Sequence, residues 1–287
     1  MKIGVSSYSY SQYLRSGKLD YISVIGKAAE MGFEAIEFSG LPGDDPAERR
    51  ALAEQIKAEA ARLGIEISAF LSSGALFKEP AEQQAEVDRL KGELDIAAIL
   101  GVKLFRYDVI SRLPQHHSFE SVVATVAPAM RQIADYGQSL GIMTMIENHG
   151  HAFQDYDRVE YIYHTVNHPN FGLLVDIGNF LCADQDNVNA VSRLAHLACH
   201  VHLKDFSMTD YYSDAPKDKC FRTRAGNYLK GTAVGYGDAR SAQCLYILKN
   251  AGFDGYVDIE FEGPEDCVEE LYKGLEFSKK WREEAYK

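Results

Sequence analysis

No apolar run in this 287-residue chain approaches the roughly 20 residues that a membrane-spanning helix needs. Cysteine is sparse: Cys182, Cys199, Cys220, Cys244 and Cys267 are odd in number, scattered, and form no CxxC pair. That pattern suits reduced thiols rather than a disulfide framework, and Cys199 and Cys244 read as core fillers. Positive charge is short as well. Lys and Arg total 30 against 42 Asp and Glu, a net charge of -12 with no dense basic run. Such a chain repels phosphate backbones and anionic membrane surfaces, so neither nucleic acid nor membrane is an expected partner. No Pro/Ser/Gly-rich linker or low-complexity tract divides it, which points to a single domain over 1–287. Met1-Lys2-Ile3-Gly4-Val5 runs directly into a strand-like segment without the shape of a secretory leader, so a soluble, cytoplasmic protein is expected.

What is present is an alternation. Short apolar runs occur at about 3–7, 34–38, 65–70, 102–106, 142–147, 171–176, 198–203 and 255–261. Segments of helical period lie between them, near 20–31, 47–63, 81–100, 119–140, 156–167, 187–196, 239–250 and 266–283. Gly stands where helix passes to strand in Met31-Gly32-Phe33, Leu63-Gly64-Ile65, Leu100-Gly101-Val102, Leu140-Gly141-Ile142 and Ala251-Gly252-Phe253. Strict alternation implies parallel pairing, and eight units close an α/β barrel of the (β/α)8 TIM type. The alternative, an open doubly wound sheet, would carry a glycine-rich loop after the first strand, where Ser6-Ser7-Tyr8-Ser9-Tyr10 stands instead. One connection is unusually long, 204 to about 238, and a structureless loop of that length is expected to be functional or mobile.

In such barrels the chemistry gathers at the C-terminal ends of the strands. Four successive strands end in Met145-Ile146-Glu147, Leu174-Val175-Asp176, His200-Val201-His202 and Val257-Asp258-Ile259-Glu260. Three carboxylates converging in a barrel repel one another strongly unless a cation joins them. Glu147, Asp176, His202 and Glu260 are therefore the candidate metal ligands. An oxygen-rich set with one imidazole favours Mn2+ first, with Mg2+, Co2+ or Zn2+ as alternatives. On a six-coordinate ion two positions would remain for substrate oxygens, the arrangement that polarises a carbonyl beside a hydroxyl. Because alternate residues share a face, His200 and Asp258 fall one layer deeper, where they are expected to bond each other or a ligand. Arg106, ending strand four, is a candidate for holding an anionic or hydroxyl-rich group. Glu37, ending strand two, reads as a cap or salt-bridge partner. Arg222 is the substrate-binding candidate of the long loop, with a solvated cluster shared with Arg224 as the alternative.

These residues give the chain a resemblance to the xylose isomerase-like TIM-barrel superfamily, in its sugar phosphate isomerase/epimerase branch. The specific pieces are Ile146-Glu147-Asn148-His149, Val175-Asp176-Ile177-Gly178-Asn179, His202-Leu203-Lys204-Asp205, Val234-Gly235-Tyr236-Gly237-Asp238 and Asp258-Ile259-Glu260, and the likeness extends over nearly the whole chain. The resemblance implies one metal on Glu147, Asp176, His202 and Glu260, with Glu147 and Glu260 also the catalytic acid/base pair. It implies a small-molecule carbohydrate substrate, a keto-sugar or keto-polyol, isomerised or epimerised through a metal-stabilised enediolate, and it allows a homo-oligomer. Lys204 and Asp205 would be substrate-side or supporting polar groups, and His149 and His151 sit just beyond a ligand. Many relatives have a His where this chain has Asn179, a change expected to alter hydroxyl recognition. The DNA-repair members of the superfamily need a His-rich trinuclear zinc cluster, but strands three and four end here in Phe70-Leu71-Ser72 and Phe105-Arg106-Tyr107. The competing reaction class is a metal-dependent lyase, a dehydratase or a C-glycoside deglycosidase. It starts from the same enolisation and adds an acid for the leaving group. A barrel that only binds a sugar is the third reading.

Overall fold

The structure is a computed structural model that describes residues 1–214 and 218–285. Its barrel strands are β1 (Lys2–Ser6), β2 (Ala35–Ser39), β3 (Glu66–Ser72), β4 (Leu104–Tyr107), β5 (Met143–Glu147), β6 (Phe171–Asp176), β7 (Ala198–Leu203) and β11 (Tyr256–Ile259). They close in the order β1-β11-β7-β6-β5-β4-β3-β2, every pair parallel. The fold is the (β/α)8 TIM barrel that the alternation implies. Strands of such a barrel are buried on both faces, by helices outside and packed side chains inside. β6 shows it, buried at all six positions.

The helices follow from local signals. Asp45 caps Pro46–Leu63 by accepting from the Ala47 and Glu48 amides at 2.7 and 3.2 Å, with Pro46 in the first turn, where its missing N–H costs nothing. The same helix ends at Gly64, whose φ of 69° lets its amide turn back to the carbonyls of Ala60 and Ala61. Phe119–Ser139 buries Val122, Val126, Met130, Ile133 and Ala134 on one face, as their spacing predicts. Among the described residues no helix is long and apolar enough to cross a membrane.

Three short helical pieces, Ser7–Ser16, Gly150–Phe153 and Asn179–Cys182, were not expected. They are too short for periodicity to register. The segment from 204 to about 238 corrects the expectation of a structureless loop, although its residues 215–217 lie outside the described ones. It carries β8 (Asp205–Thr209), β9 (Phe221–Arg222) and β10 (Tyr228–Thr232), an antiparallel sheet in the order β8-β10-β9. Phe206 and Leu229 form the underside of this sheet and pack with Leu181 and Ala239 in a small core of their own.

Asp205 ties that segment down. Its carboxylate accepts from the amides of Gly235 (2.9 Å), Gly237 (3.1 Å), Ala239 (2.9 Å) and Phe206 (2.9 Å). Of the two places expected for it, beside the substrate or in support, the buried side chain takes the second and holds backbone. Inside the barrel, Leu104, Met145 and Leu174 share an apolar cluster with Ala69 and Leu71. Two residues further on, facing the same way, come Arg106, Glu147 and Asp176. An apolar floor thus carries a charged layer.

Asp205→Ala leaves several buried amides without acceptors, which costs about 2–4 kcal/mol in total. The expected outcome is rapid proteolytic cleavage within 204–238 ahead of global unfolding. Wild-type resistance in that segment would show that Asp205 does not anchor it.

Candidate metal centre

Glu147 closes β5, Asp176 closes β6, His202 lies near the end of β7 and Glu260 follows β11. One ligand atom from each lies within 4.8 Å of all the others. His202 Nδ1 is 3.6 Å from Glu147 Oε1, 3.9 Å from Asp176 Oδ2 and 3.5 Å from Glu260 Oε2. Bonds of about 2.0–2.2 Å to one ion set its ligands about 3–4 Å apart, so the spacing fits a single cation. The fit is supported by two buried atoms without a hydrogen-bond partner, His202 Nδ1 and Asp176 Oδ2, which face the same point. Asp176 Oδ1, in contrast, is held by the Gly178 and Asn179 amides at 2.7 and 3.0 Å. Asn148 locks the two strands, exchanging hydrogen bonds of 2.8 Å with the Asp176 amide and carbonyl.

Two cations stand against this acidic centre. Arg106 Nη2 lies 2.6 Å from Glu147 Oε2 and 2.7 Å from Asp108 Oδ1. Lys204 Nζ lies 2.6 Å from Glu260 Oε2, 3.3 Å from Asp176 Oδ2 and 3.6 Å from Glu262 Oε2. Burial pushes every carboxyl here upward, and the neighbouring charges decide the outcome. Beside Arg106, Glu147 is held well below the usual carboxylate range. Lys204 and His202 bring Glu260 down to about 2. Asp176 has the most burial and two anionic neighbours and rises to about 6 even with Lys204 close by. Asp176 is therefore the carboxylate whose charge is least compensated, and the one of the three that most readily takes up a proton when no cation is bound.

Beneath the centre lies a buried polar chain. His202 Nε2 is 2.8 Å from Glu37 Oε1, and Glu37 Oε2 is 3.1 Å from His200 Nε2. His200 Nε2 is also 3.1 Å from Asp258 Oδ2, which accepts from Ser68 Oγ at 2.5 Å. Glu37, His200, His202 and Asp258 are all fully buried. Nε2 is the nitrogen that lies beside Glu37, so Nδ1 is the one turned to the ligand cluster, where a metal would need its lone pair. Gly4 makes room: a Cβ there would collide with Asp258 Oδ1.

Above the centre a cavity of about 400 Å³ opens, its lining including Tyr8, Arg106, Glu147, His149, Lys204 and Glu260. Of the expected site residues, the structure thus brings Glu147, Asp176, His202, Glu260, Arg106, His149 and Lys204 together, with His200 and Asp258 beneath. Asn179 is displaced from its expected substrate contact: it donates to Glu147 Oε1 at 3.0 Å and accepts from Lys204 Nζ at 3.3 Å. Arg222 does not join them. It lies in β9 with its guanidinium 5.6 and 5.7 Å from the Tyr211 and Tyr228 rings, because the small sheet turns it away from the barrel mouth. Sequence reasoning overlooked Asp108 and Tyr8 and gave Glu37 no link to the ligands. The signal for Glu37 was its strand-end position, shared with the four ligands.

Comparison with known proteins agrees with the barrel fold. The family described as xylose isomerase-like TIM barrel matches residues 25–281. No curated protein matches the sequence. Among solved structures, the D-allulose 3-epimerase from Methylomonas sp. superposes with a TM-score of 0.74 at 18% identity, covering 98% of either chain; it is also known in complex with D-allulose. The probable 3-DHS dehydratase AsbF from Bacillus anthracis gives 0.75 at 17% identity, over 97% of this chain and 99% of its own. A xylose isomerase-like TIM-barrel protein from Mycobacterium smegmatis, in complex with magnesium, gives 0.74 at 14% identity over 99% and 97%.

Elemental analysis of purified protein is expected to find about one divalent ion per chain, lost in His202→Ala and Glu260→Gln. Glu37→Gln keeps the shape of the His202 partner but removes its charge, and should weaken Mn2+ binding about 10–100-fold in a competition titration. Unchanged affinity in Glu37→Gln would separate the buried chain from the metal site.

Proposed function

The chain belongs to the xylose isomerase-like TIM-barrel family, and from that premise we propose that it is a metal-dependent isomerase or epimerase of a keto-sugar or keto-polyol. The observation that carries this reading is the pair Glu147 and Glu260, two buried carboxylates that share one cluster of ligand atoms and both line the cavity. A divalent ion held by Glu147, Asp176, His202 and Glu260, Mn2+ first among the candidates, would polarise the substrate carbonyl and stabilise negative charge developing on its oxygen. Glu147 then takes the proton from the carbon beside the carbonyl. The C–H electron pair forms the C=C bond of an enediolate, and the carbonyl oxygen receives the charge. A proton that Glu260 takes up from solvent and passes to the same carbon from the other side completes epimerisation, the proton on Glu147 returns to solvent, and the roles reverse for the opposite stereoisomer.

The surroundings suit those roles. Arg106, 2.6 Å from Glu147 Oε2, keeps that carboxylate ionised as a base. Lys204, 2.6 Å from Glu260 Oε2, fixes the second carboxylate beside the cavity. Both cations border the cavity along with Tyr8 and His149 and present donors to hydroxyl groups. A polar cavity of this size matches a small carbohydrate better than an apolar metabolite. The solved D-allulose 3-epimerase shares the fold and is consistent with this substrate class.

A second reading, a lyase, draws on one observation. His149 Nδ1 lies 2.9 Å from Asp108 Oδ1 at the open edge of the cavity. A histidine held by a carboxylate there is placed to protonate a β-leaving group after the same enolisation.

In deuterium oxide, the metal-loaded protein is expected to wash deuterium into the carbon beside the carbonyl of at least one free keto-sugar. Glu147→Gln and Glu260→Gln should each slow that exchange about 10²–10⁴-fold. No exchange across a panel of ketoses and keto-polyols would sink the enolisation reading. His149→Ala separates the two classes: an epimerase should lose less than about tenfold, a lyase about a hundredfold or more together with its eliminated product.

A further inference from the structure

Two one-turn helices flank the metal centre, and neither is long enough to be stable by itself. Asn179–Cys182 follows β6, and Gly150–Phe153 follows β5. The first begins on a metal ligand, because the amides of Gly178 and Asn179 hold Asp176 Oδ1 at 2.7 and 3.0 Å. The Asn179 side chain also joins Glu147 Oε1 to Lys204 Nζ. The second begins at His149, whose Nδ1 lies 2.9 Å from Asp108 Oδ1 at the edge of the cavity. Whatever fixes the far ends of these two helices therefore fixes groups at the centre.

That fixing comes from the turn joining β9 to β10, on the segment that leaves the barrel beside Lys204. The turn holds its own shape: the Thr223 amide donates to the Asn227 carbonyl at 2.8 Å and the Asn227 amide to Thr223 Oγ1 at 3.0 Å. From it Arg224 reaches both helices. Its amide donates to the Cys182 carbonyl at 3.1 Å, and its Nη2 donates to the His151 carbonyl at 2.9 Å. The last turn of a helix leaves carbonyls without amide partners and favours a cation, so one residue serves two such ends. Asp155 aims the guanidinium, with Oδ1 2.6 Å from Nη1. Asp184 holds the turn itself, accepting from the Ala225 amide at 2.5 Å and the Asn227 side chain at 3.1 Å. Arg158 gives Gly150–Phe153 a further tie, donating to the Ala152 carbonyl at 3.1 Å. Asn179–Cys182 therefore depends on Arg224 the more.

We propose that Arg224 is a positioning residue: the β9–β10 turn is a strap that clamps both helices and so sets Asp176, Asn179 and His149 in place about the metal centre. This rests on the metal-centred reading above and adds a residue that lines no part of the reaction cavity. Arginine suits the place because its planar fork donates to Asp155 and to the His151 carbonyl at once, which a lysine ammonium does less well.

The test compares wild type with Arg224→Ala, Arg224→Lys and Asp155→Asn at a temperature where the proteins are folded, with Mn2+ as the probe. Backbone hydrogen exchange is expected to quicken about tenfold over 179–184 in Arg224→Ala, less over 149–155, and not at all in the barrel strands. Mn2+ should bind that variant about three- to tenfold more weakly, and the paramagnetic resonance spectrum of the bound ion should broaden, as its ligands lose their fixed orientation. Arg224→Lys should recover part of the lost affinity. Asp155→Asn keeps the shape of the partner and should show the same changes in smaller measure, which keeps the test open if Arg224→Ala does not fold. Faster exchange with wild-type affinity and spectrum would make the strap a stabilising contact alone, and unchanged exchange would show that it clamps nothing. Either result overturns the positioning role while leaving the metal site standing. A wild type that takes up no Mn2+ would instead remove the metal-centred reading, and the strap's role with it.

Discussion

Three carboxylates and one imidazole meet at the buried mouth of the barrel, and much of the surrounding structure answers to the charge they concentrate there. Glu147, Asp176 and Glu260 are crowded around His202 at distances of 3.5 to 3.9 Å from Nδ1. In a low-dielectric interior that crowding is costly unless positive charge offsets it. The protein supplies part of the offset through Arg106 and Lys204, one on each outer carboxylate. Asp176, left with the weakest compensation and an oxygen without a hydrogen bond, is where a metal ion would relieve the strain most.

Around this centre, polar groups are layered along the strands. Lys204 sits with Glu260 and Glu262, His202 with Glu260 one level below, and His200 with Asp258 lower still. Glu37 crosses the barrel interior to join the two histidines, turning what would be isolated buried side chains into one connected set. Connected buried polar networks hold their members in single orientations, since each alternative leaves a group without a partner. The direction of His202 Nδ1 thus depends on a residue that touches neither the cavity nor any other ligand.

The segment after β7 contributes in a different manner. Its described residues fold into a small sheet anchored on Asp205 rather than an irregular loop. On the far side of β11, the short helix after β1 brings Tyr8 across to Glu262, and these two side chains line both the cavity above the metal centre and its neighbour. The candidate metal ligands belong to the strand ends, whereas Tyr8 and Glu262 at the rim of the cavity belong to the connections.

The barrel was legible in the sequence because its signals are local: apolar strands, helical periodicity and a glycine at each of several helix ends. The helix over 47–63 is found at Pro46–Leu63 and that over 119–140 at Phe119–Ser139. The four convergent ligand residues were legible too, since strand ends in a parallel barrel share one face and alternation fixes which residue points inward. Side-chain partners across the barrel were not. Glu37 is 163 residues from His200, and Tyr8 is 254 from Glu262, separations at which no local pattern carries information. Asp205 was expected beside the substrate or in support of it from the family resemblance, and Arg222 at the substrate or in a solvated cluster from its charge; the structure engages one with the backbone and sets the other beside Tyr211 and Tyr228. Sequence alone therefore determined which residues the strands present at the barrel mouth, since that depends on period and chain order. Only the tertiary structure decided which of them meet, because closing a barrel sets distances between strands that the chain itself leaves open.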